Sequence, residues 1–352
     1  MKIKFNSLCL SYYLAFRYLP KNNLSWIDQK NIKPNLLNYN NIANIGIKNS
    51  DDITKNLKNI IQKYKNKKNG ILLSSGIDSI ILAYFLPKNT PAYTIKFIAP
   101  NAIDESVHAS IIAKHLGLKH KIVEVGWEDY QNKLNELMIH KKAPLHPAEI
   151  GIYYGAAKAR KDGVDNLFVG CGADALFGGL DKLLSKDWEY KEFIDRFNSI
   201  NPKIILKNPS SVDSIYRKYK KNDFINVTKF IKDIFNPQTE QMFSNAIITA
   251  GCKIIAPYEN FYLKKTLDIK RIREGESKYL LKEVYNKLYP DIKPLEKIPF
   301  ARPMDQWMRN WDDLHRPEFR TDIKLNELTG EQKWLVYCLQ EFMDLIENKY
   351  HG

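Results

Sequence analysis

"GILLSSGIDSIILAYF" (residues 70–85) sets two apolar runs on either side of six small or polar residues, Ser74 to Ser79. Ile71-Leu72-Leu73 is short, continuous and bounded by Gly70, the pattern of a strand buried on both faces. Residues 80–85 are long enough for a helix and stop before Pro87. The interruption is therefore a strand-to-helix turn. Such a turn aims backbone N–H groups and the positive end of a helix dipole at one spot. Ser74, Ser75 and Ser79 add hydroxyl donors. The stretch predicts an anion site, phosphate above all. A carboxylate beside phosphate repels it unless a cation lies between, so a Mg²⁺ ligand is the natural role of Asp78. No Gly-Lys-Ser/Thr follows, which excludes a Walker A loop, and the G-x-G-x-x-G dinucleotide turn is absent. A serine-rich βα turn with no ligand is the plain alternative.

Working outward, a charged helix is expected over 51–67, strands over 92–98, 120–125 and 166–171, and helices over 104–116, 127–140 and 147–160. Strands alternating with helices predict a doubly wound parallel sheet. After about residue 181 the strand signals stop and amphipathic helical patterns take over, as in "VTKFIKDIF" (227–235) and "SKYLLKEVYNKLY" (277–289). The expected division is a linker-like segment at 1–50, an α/β core at 51–180 and a mainly helical part at 181–352. Ligands of such sheets sit at the carboxyl ends of the strands. "GCGADALFGG" (170–179) lies at one such end, with glycines that let backbone approach a ligand closely. If the fourth strand neighbours the first, Asp174 and Asp78 face one cavity and make a Mg²⁺ clamp. The other reading of Asp174 is a helix N-cap.

The chain has 352 residues, 44% of them apolar, and a net charge of +14. That charge could serve a nucleic-acid partner. The basic residues are spread out, however, and Lys, Asn and Ile are abundant together, as an AT-rich coding sequence would produce. A nucleic-acid partner is disfavoured. Cys9, Cys171, Cys252 and Cys338 lie far apart, with no zinc-like or disulfide spacing. A reducing, cytoplasmic setting fits. The start has a faint signal-peptide flavour but no small-residue cleavage site, and no stretch is long and uncharged enough to span a membrane.

The 74–79 loop resembles the Ser-Gly-Gly-x-Asp-Ser loop of ATP pyrophosphatases, with Ser75 in place of the first glycine. Together with the 170–179 stretch it resembles the synthetase half of the asparagine synthetase family, which carries Gly-Glu-Gly-Ala-Asp-Glu-Leu-Phe-Gly-Gly. The likeness continues, in the family's order, through "SYYLAFRYLP" (11–20), "DESVHASIIAKHLGLKH" (104–120), "APYENF" (256–261), "ESKYLLKEVYNKLYP" (276–290) and "KIPFARPMDQW" (297–307). It implies an adenine nucleotide alpha hydrolase-like fold with a C-terminal helical subdomain. It also implies ATP and Mg²⁺ as cofactors. Ser74, Ser75, Gly76, Asp78 and Ser79 would cradle the phosphates. Leu73, Ile95, Val169 and Gly170 would line the adenosine pocket, and Asp78 and Asp174 would hold the metal. Lys278 would contact the oxygens on which negative charge builds.

The departures fall in the acyl pocket. Cys171 replaces the family's glutamate beside the reacting carboxylate, Ala175 replaces a second acid, and Ile255 stands where arginine is usual. Glu240 is a candidate general base or substrate contact. No glutaminase half is visible. The resemblance therefore implies an amide-forming ligase that adenylates a small carboxylate and passes the acyl group to ammonia or an amine, the nitrogen coming free or from a separate glutaminase. Asparagine formation is one version. The competing readings are a tRNA-modifying ATP pyrophosphatase, which the absence of paired cysteines disfavours, and a non-catalytic family member, which both retained aspartates disfavour.

Overall fold

Five short β-rich runs supply the central layer. In the computed structural model, which describes residues 3–21, 23–27, 31–35, 43–291, 300 and 302–351, these are β2 (Asn69–Leu72), β3 (Pro91–Phe97), β4 (Lys119–Val125), β5 (Asn166–Phe168) and β6 (Lys253–Ile255). They form one parallel sheet in the order β4-β3-β2-β5-β6. The chain steps outward from β2 to β4, then returns across β2 to lay down β5 and β6. The order therefore reverses between β2 and β5, which is where ligands of open α/β sheets bind. The fourth expected strand does neighbour the first, with Ile71 in register with Phe168. A separate parallel pair joins β1 (Ile45–Ile47) to β7 (Phe261–Leu263).

β6 corrects the expectation that strands end near residue 181. Three residues show no period, so "KII" cannot be told from a helix or a loop by pattern. Its placement shows that the chain returns to the sheet after the helical region.

Helices cover both faces. Side chains alternate across a strand, so Ile71 and Leu73 enter one apolar layer while Leu72 packs against the other. The first layer includes α2 (Ser50–Gln62), α3 (Ile77–Tyr84), α4 (Ser106–His115) and α9 (Tyr279–Leu288). The second includes α5 (Trp127–Lys141), α6 (Glu149–Lys161), α8 (Asn236–Thr249) and α10 (Gly330–His351). Within the segment expected to be linker-like, Ser7–Phe16 forms α1, buried at every residue from Cys9 to Phe16. A helix apolar all round belongs in a core, which accounts for the signal-like look of this stretch; Met1 and Lys2 lie outside the described residues. α8 is the continuation of Val227–Phe230 through a π-helical turn at Ile231–Phe235. Of the 297–307 segment, residues 297–299 and 301 lie outside the described residues, and Met304–Trp307 is one helical turn. Among the described residues no helix is long and apolar enough to cross a membrane.

Candidate active site

At the carboxyl end of β2 the chain turns through Ser74 and Ser75 into α3. Gly76 is the N-cap, in extended conformation and without a side-chain cap, and Asp78 lies in the first turn. The loop is braced internally. Ser74 N–H donates to Ser79 Oγ (3.1 Å), the two serine hydroxyls meet at 2.9 Å, and Gly76 N–H donates to Ser74 Oγ (3.2 Å). Ser75 departs from its expected role. Its N–H and its hydroxyl both donate to Glu105 Oε2, at 2.9 and 3.0 Å, so it fastens the loop to the start of α4 and faces away from the cavity.

The carboxyl end of β5 supplies the opposing wall. Gly172, at φ 87°, caps the short helix α7 (Ala173–Phe177), a left-handed position that favours glycine. The cap is thus Gly172 and not Asp174, whose carboxylate lies in the first turn and meets Lys278 Nζ at 2.6 Å. The same ammonium reaches Asp78 Oδ2. Lys278 is itself the N-cap of α9 in left-handed conformation, φ 53° and ψ 32°, a state that costs a non-glycine residue about 1–2 kcal/mol. Gly179 leaves room for this triad. A Cβ there would lie 2.0 Å from Asp174 Oδ1 and 2.2 Å from Lys278 Cε. Against the downward pull of burial, Asp78 and Asp174 raise the Lys278 ammonium above its ordinary pKa, so it stays charged. Tyr258 fixes the turn from behind by donating to the Asp78 backbone carbonyl (2.9 Å).

These elements enclose a cavity of about 480 Å³. Leu73, Ser74, Gly76, Asp78, Ser79, Ile95, Val169, Gly170, Cys171 and Asp174 all line it. Lys278 touches it through its two aspartates. Glu240 stands one residue further back. The Cys171 thiol donates to Glu259 Oε1 (3.4 Å), and Asn236 Nδ2 donates to both Glu259 Oε2 (2.9 Å) and Glu240 Oε1 (3.0 Å). Burial, then Glu259, pushes Glu240 well up, and burial with the two glutamates pushes the Cys171 thiol up as well. At neutral pH both keep their protons. A carboxyl that keeps its proton does not suit the expected base.

Glu259 and Asn236 escaped the sequence reading, as did Arg17, His146 and Arg302, which also line the cavity. A π-helical turn before Asn236 marks the place; such turns recur at functional sites.

Two carboxylates converge on a single ammonium, and among the described residues no third acid, histidine or cysteine joins them as a metal cluster. That donor set fits Mg²⁺, which is held by one or two carboxylates and completes its shell with phosphate oxygens and water.

A family model described as asparagine synthase matches residues 62–238, half of the chain. Over 88 residues the chain is 38% identical to 7-cyano-7-deazaguanine synthase of Bdellovibrio bacteriovorus, a match covering 24% of this chain and 38% of that protein. The chain thus spans well under half the length of that relative. Among solved structures, NMN synthetase from Francisella tularensis aligns at 14% identity over 71% of this chain and 97% of that one, with a TM-score of 0.27. The NH3-dependent NAD synthetase from Campylobacter jejuni aligns at 16% identity over 55% and 96%, with a TM-score of 0.28. Likenesses of that depth carry no argument about this chain.

Proposed function

The chain belongs to the asparagine synthase family, and from that premise we propose that it is an ATP-dependent carbon–nitrogen ligase. In this reading it adenylates a small carboxylate with release of pyrophosphate. It then passes the acyl group to ammonia or an amine with release of AMP. The observation that carries the reading is the Lys278 ammonium held between Asp78 and Asp174, at the carboxyl ends of the adjacent strands β2 and β5.

The residues divide the work by chemistry. Ser74, Gly76 and Ser79 offer donors and close backbone approach to the phosphates. Leu73, Ile95, Val169 and Gly170 form the apolar wall suited to adenosine. Asp78 and Asp174 would hold Mg²⁺, which when bound would neutralise phosphate charge and orient the phosphate chain. Lys278 places a fixed positive charge where negative charge builds as pyrophosphate departs. Cys171, a neutral thiol bonded to Glu259, shapes the acyl pocket, and Glu240 stands behind it, accepting from Asn236.

The test supplies the purified chain with ATP, Mg²⁺, ammonia and a panel of small carboxylic acids, and identifies the nucleotide product. AMP and pyrophosphate are expected, dependent on the right acid. Formation of ADP and phosphate in their place would overturn the assignment.

A further inference from the structure

β4 lies at one edge of the sheet, and among the described residues no strand pairs with its outer side. Lys119 N–H donates to the Thr90 carbonyl (3.0 Å), and the Val125 carbonyl accepts from Ile98 N–H (2.9 Å). The odd-numbered residues of β4 thus turn their backbone toward β3, and His120, Ile122 and Glu124 turn theirs outward. An uncovered row of this kind is a template for a further strand.

Apolar side chains flank that row. The His120 ring meets Ser110 Oγ of α4 at 3.0 Å, while Val123 and Val125 join the layer of α5. Alternation along the strand then puts Ile122, 46% exposed, on the α4 face. Ile103, Val107 and Ile111 recur at every fourth residue along α4 and its approach, all more than half exposed, and Ile98 follows β3. Half of the large apolar side chains that stand exposed among the described residues gather at this one margin. Single exposed apolar residues are ordinary, but a group of them marks an interaction surface.

The charge pattern selects the occupant. Lysines on an edge strand ordinarily keep other chains away. On β4 the charge is divided, with Lys119 and Lys121 at its start, Glu124 near its end and Glu128 in the first turn of α5. A second β4 running the opposite way sets its basic start against this acidic end, and the reverse holds at the other end. Only residues with matching backbone direction face each other in an antiparallel pair. With a two-fold axis at Ile122, that side chain meets its own copy, His120 lies opposite Glu124, and Lys119 and Lys121 lie opposite Val125 and Val123. An axis at Lys121 would set lysine against lysine, and one at Val123 would set Ile122 against Glu124.

We propose that β4 and α4 form the interface of a two-fold dimer of this chain, the two β4 strands pairing about Ile122. The two five-stranded sheets then become one continuous sheet, with α4 of both copies on the same face. The inference is independent of the reaction proposed above.

Sedimentation equilibrium of the full chain tests it. A dimer is expected at about 10–100 μM. Ile122→Glu sets two carboxylates together at the axis and should give a monomer whose near-ultraviolet circular dichroism is unchanged, because the side chain is exposed in a single copy. Lys119 of one copy lies beside the start of the other's α5, where Glu128 is exposed. Lys119→Glu and Glu128→Lys should each weaken the dimer about tenfold, since every dimer contains the pair twice. The double variant should restore it, a rescue that misfolding cannot mimic. A monomer throughout that range, a dimer left intact by Ile122→Glu, or a double variant no tighter than the single ones would each overturn the proposal.

Discussion

Asp78 and Asp174 share one ammonium but not one environment. The Asp78 side chain is 14% exposed and that of Asp174 is 39% exposed. Removing charge from the more buried partner leaves Lys278 with only the better-solvated one. Asp78→Asn is therefore expected to lower stability by about 3 kcal/mol, the range for breaking a buried pair. Asp174→Asn should cost about 1 kcal/mol or less, as for a pair open to solvent. Both should abolish Mg²⁺-dependent turnover. Denaturant titration and AMP release check the two effects separately. Equal destabilisation would contradict the difference in burial, and normal turnover in either variant would release its carboxylate from the site. Asp78 and Asp174 were legible because glycine and serine punctuation surrounds them, and Lys278 through the family likeness of residues 276–290. Glu259 was not. Its carboxylate meets Cys171 and Asn236 only because the end of β5, the start of α8 and the Pro257–Asn260 turn converge in space. No local spacing in "APYENF" records that meeting.

The π-helical turn at Ile231–Phe235 joins two helical pieces held by different partners. On one side the Phe230 ring stacks on Tyr216 (centroids 5.3 Å apart, planes at 8°) and meets Phe197 at 4.6 Å. On the other, Asn236 binds Glu240 and Glu259. A wide turn absorbs the extra residue that lets both ends be satisfied. Deleting Lys232, which is exposed, should restore the α period and rotate one end against the other by about 100°. If Phe230 is displaced, the loss should be about 3 kcal/mol, as for deleting a buried aromatic contact. If Asn236 is displaced, turnover should fall while the melting temperature holds. A deletion variant equal to the parent in both measurements would show that the turn has no such function. Pattern reading found helices on both sides of this joint, since each has its own apolar stripe, but a change from 3.6 to about 4.4 residues per turn over five residues leaves no mark in composition. β6 was hidden for a similar reason, being three residues long.

Across the whole molecule, the two chain ends meet in one apolar layer. α1 and α10 pack together there, and Trp334 of α10 lies edge-on to Tyr130 of α5 with centroids 5.3 Å apart. Trp334, Leu335, Val336, Cys338, Leu339, Phe342 and Met343 are each no more than 2% exposed. At about 1.5–3 kcal/mol for each large side chain, their removal costs about 10–20 kcal/mol, as much as the 5–15 kcal/mol typical of a whole fold. A chain ending after residue 328 should therefore fail to fold, and the full chain should unfold in one cooperative transition. Circular dichroism and calorimetry test both. A truncated chain that kept its near-ultraviolet signal and bound ATP would contradict the estimate.

Lys278 also has a bearing on synthesis. It lies 200 residues beyond Asp78 in the chain. At roughly 5–20 residues per second, a ribosome needs on the order of 10–40 s to travel from one to the other. Throughout that interval the loop after β2 exists without the ammonium that offsets its carboxylate, and from residue 174 onward two like charges face the same space. On the reading proposed above, MgATP should therefore bind the site only once residue 278 has been added.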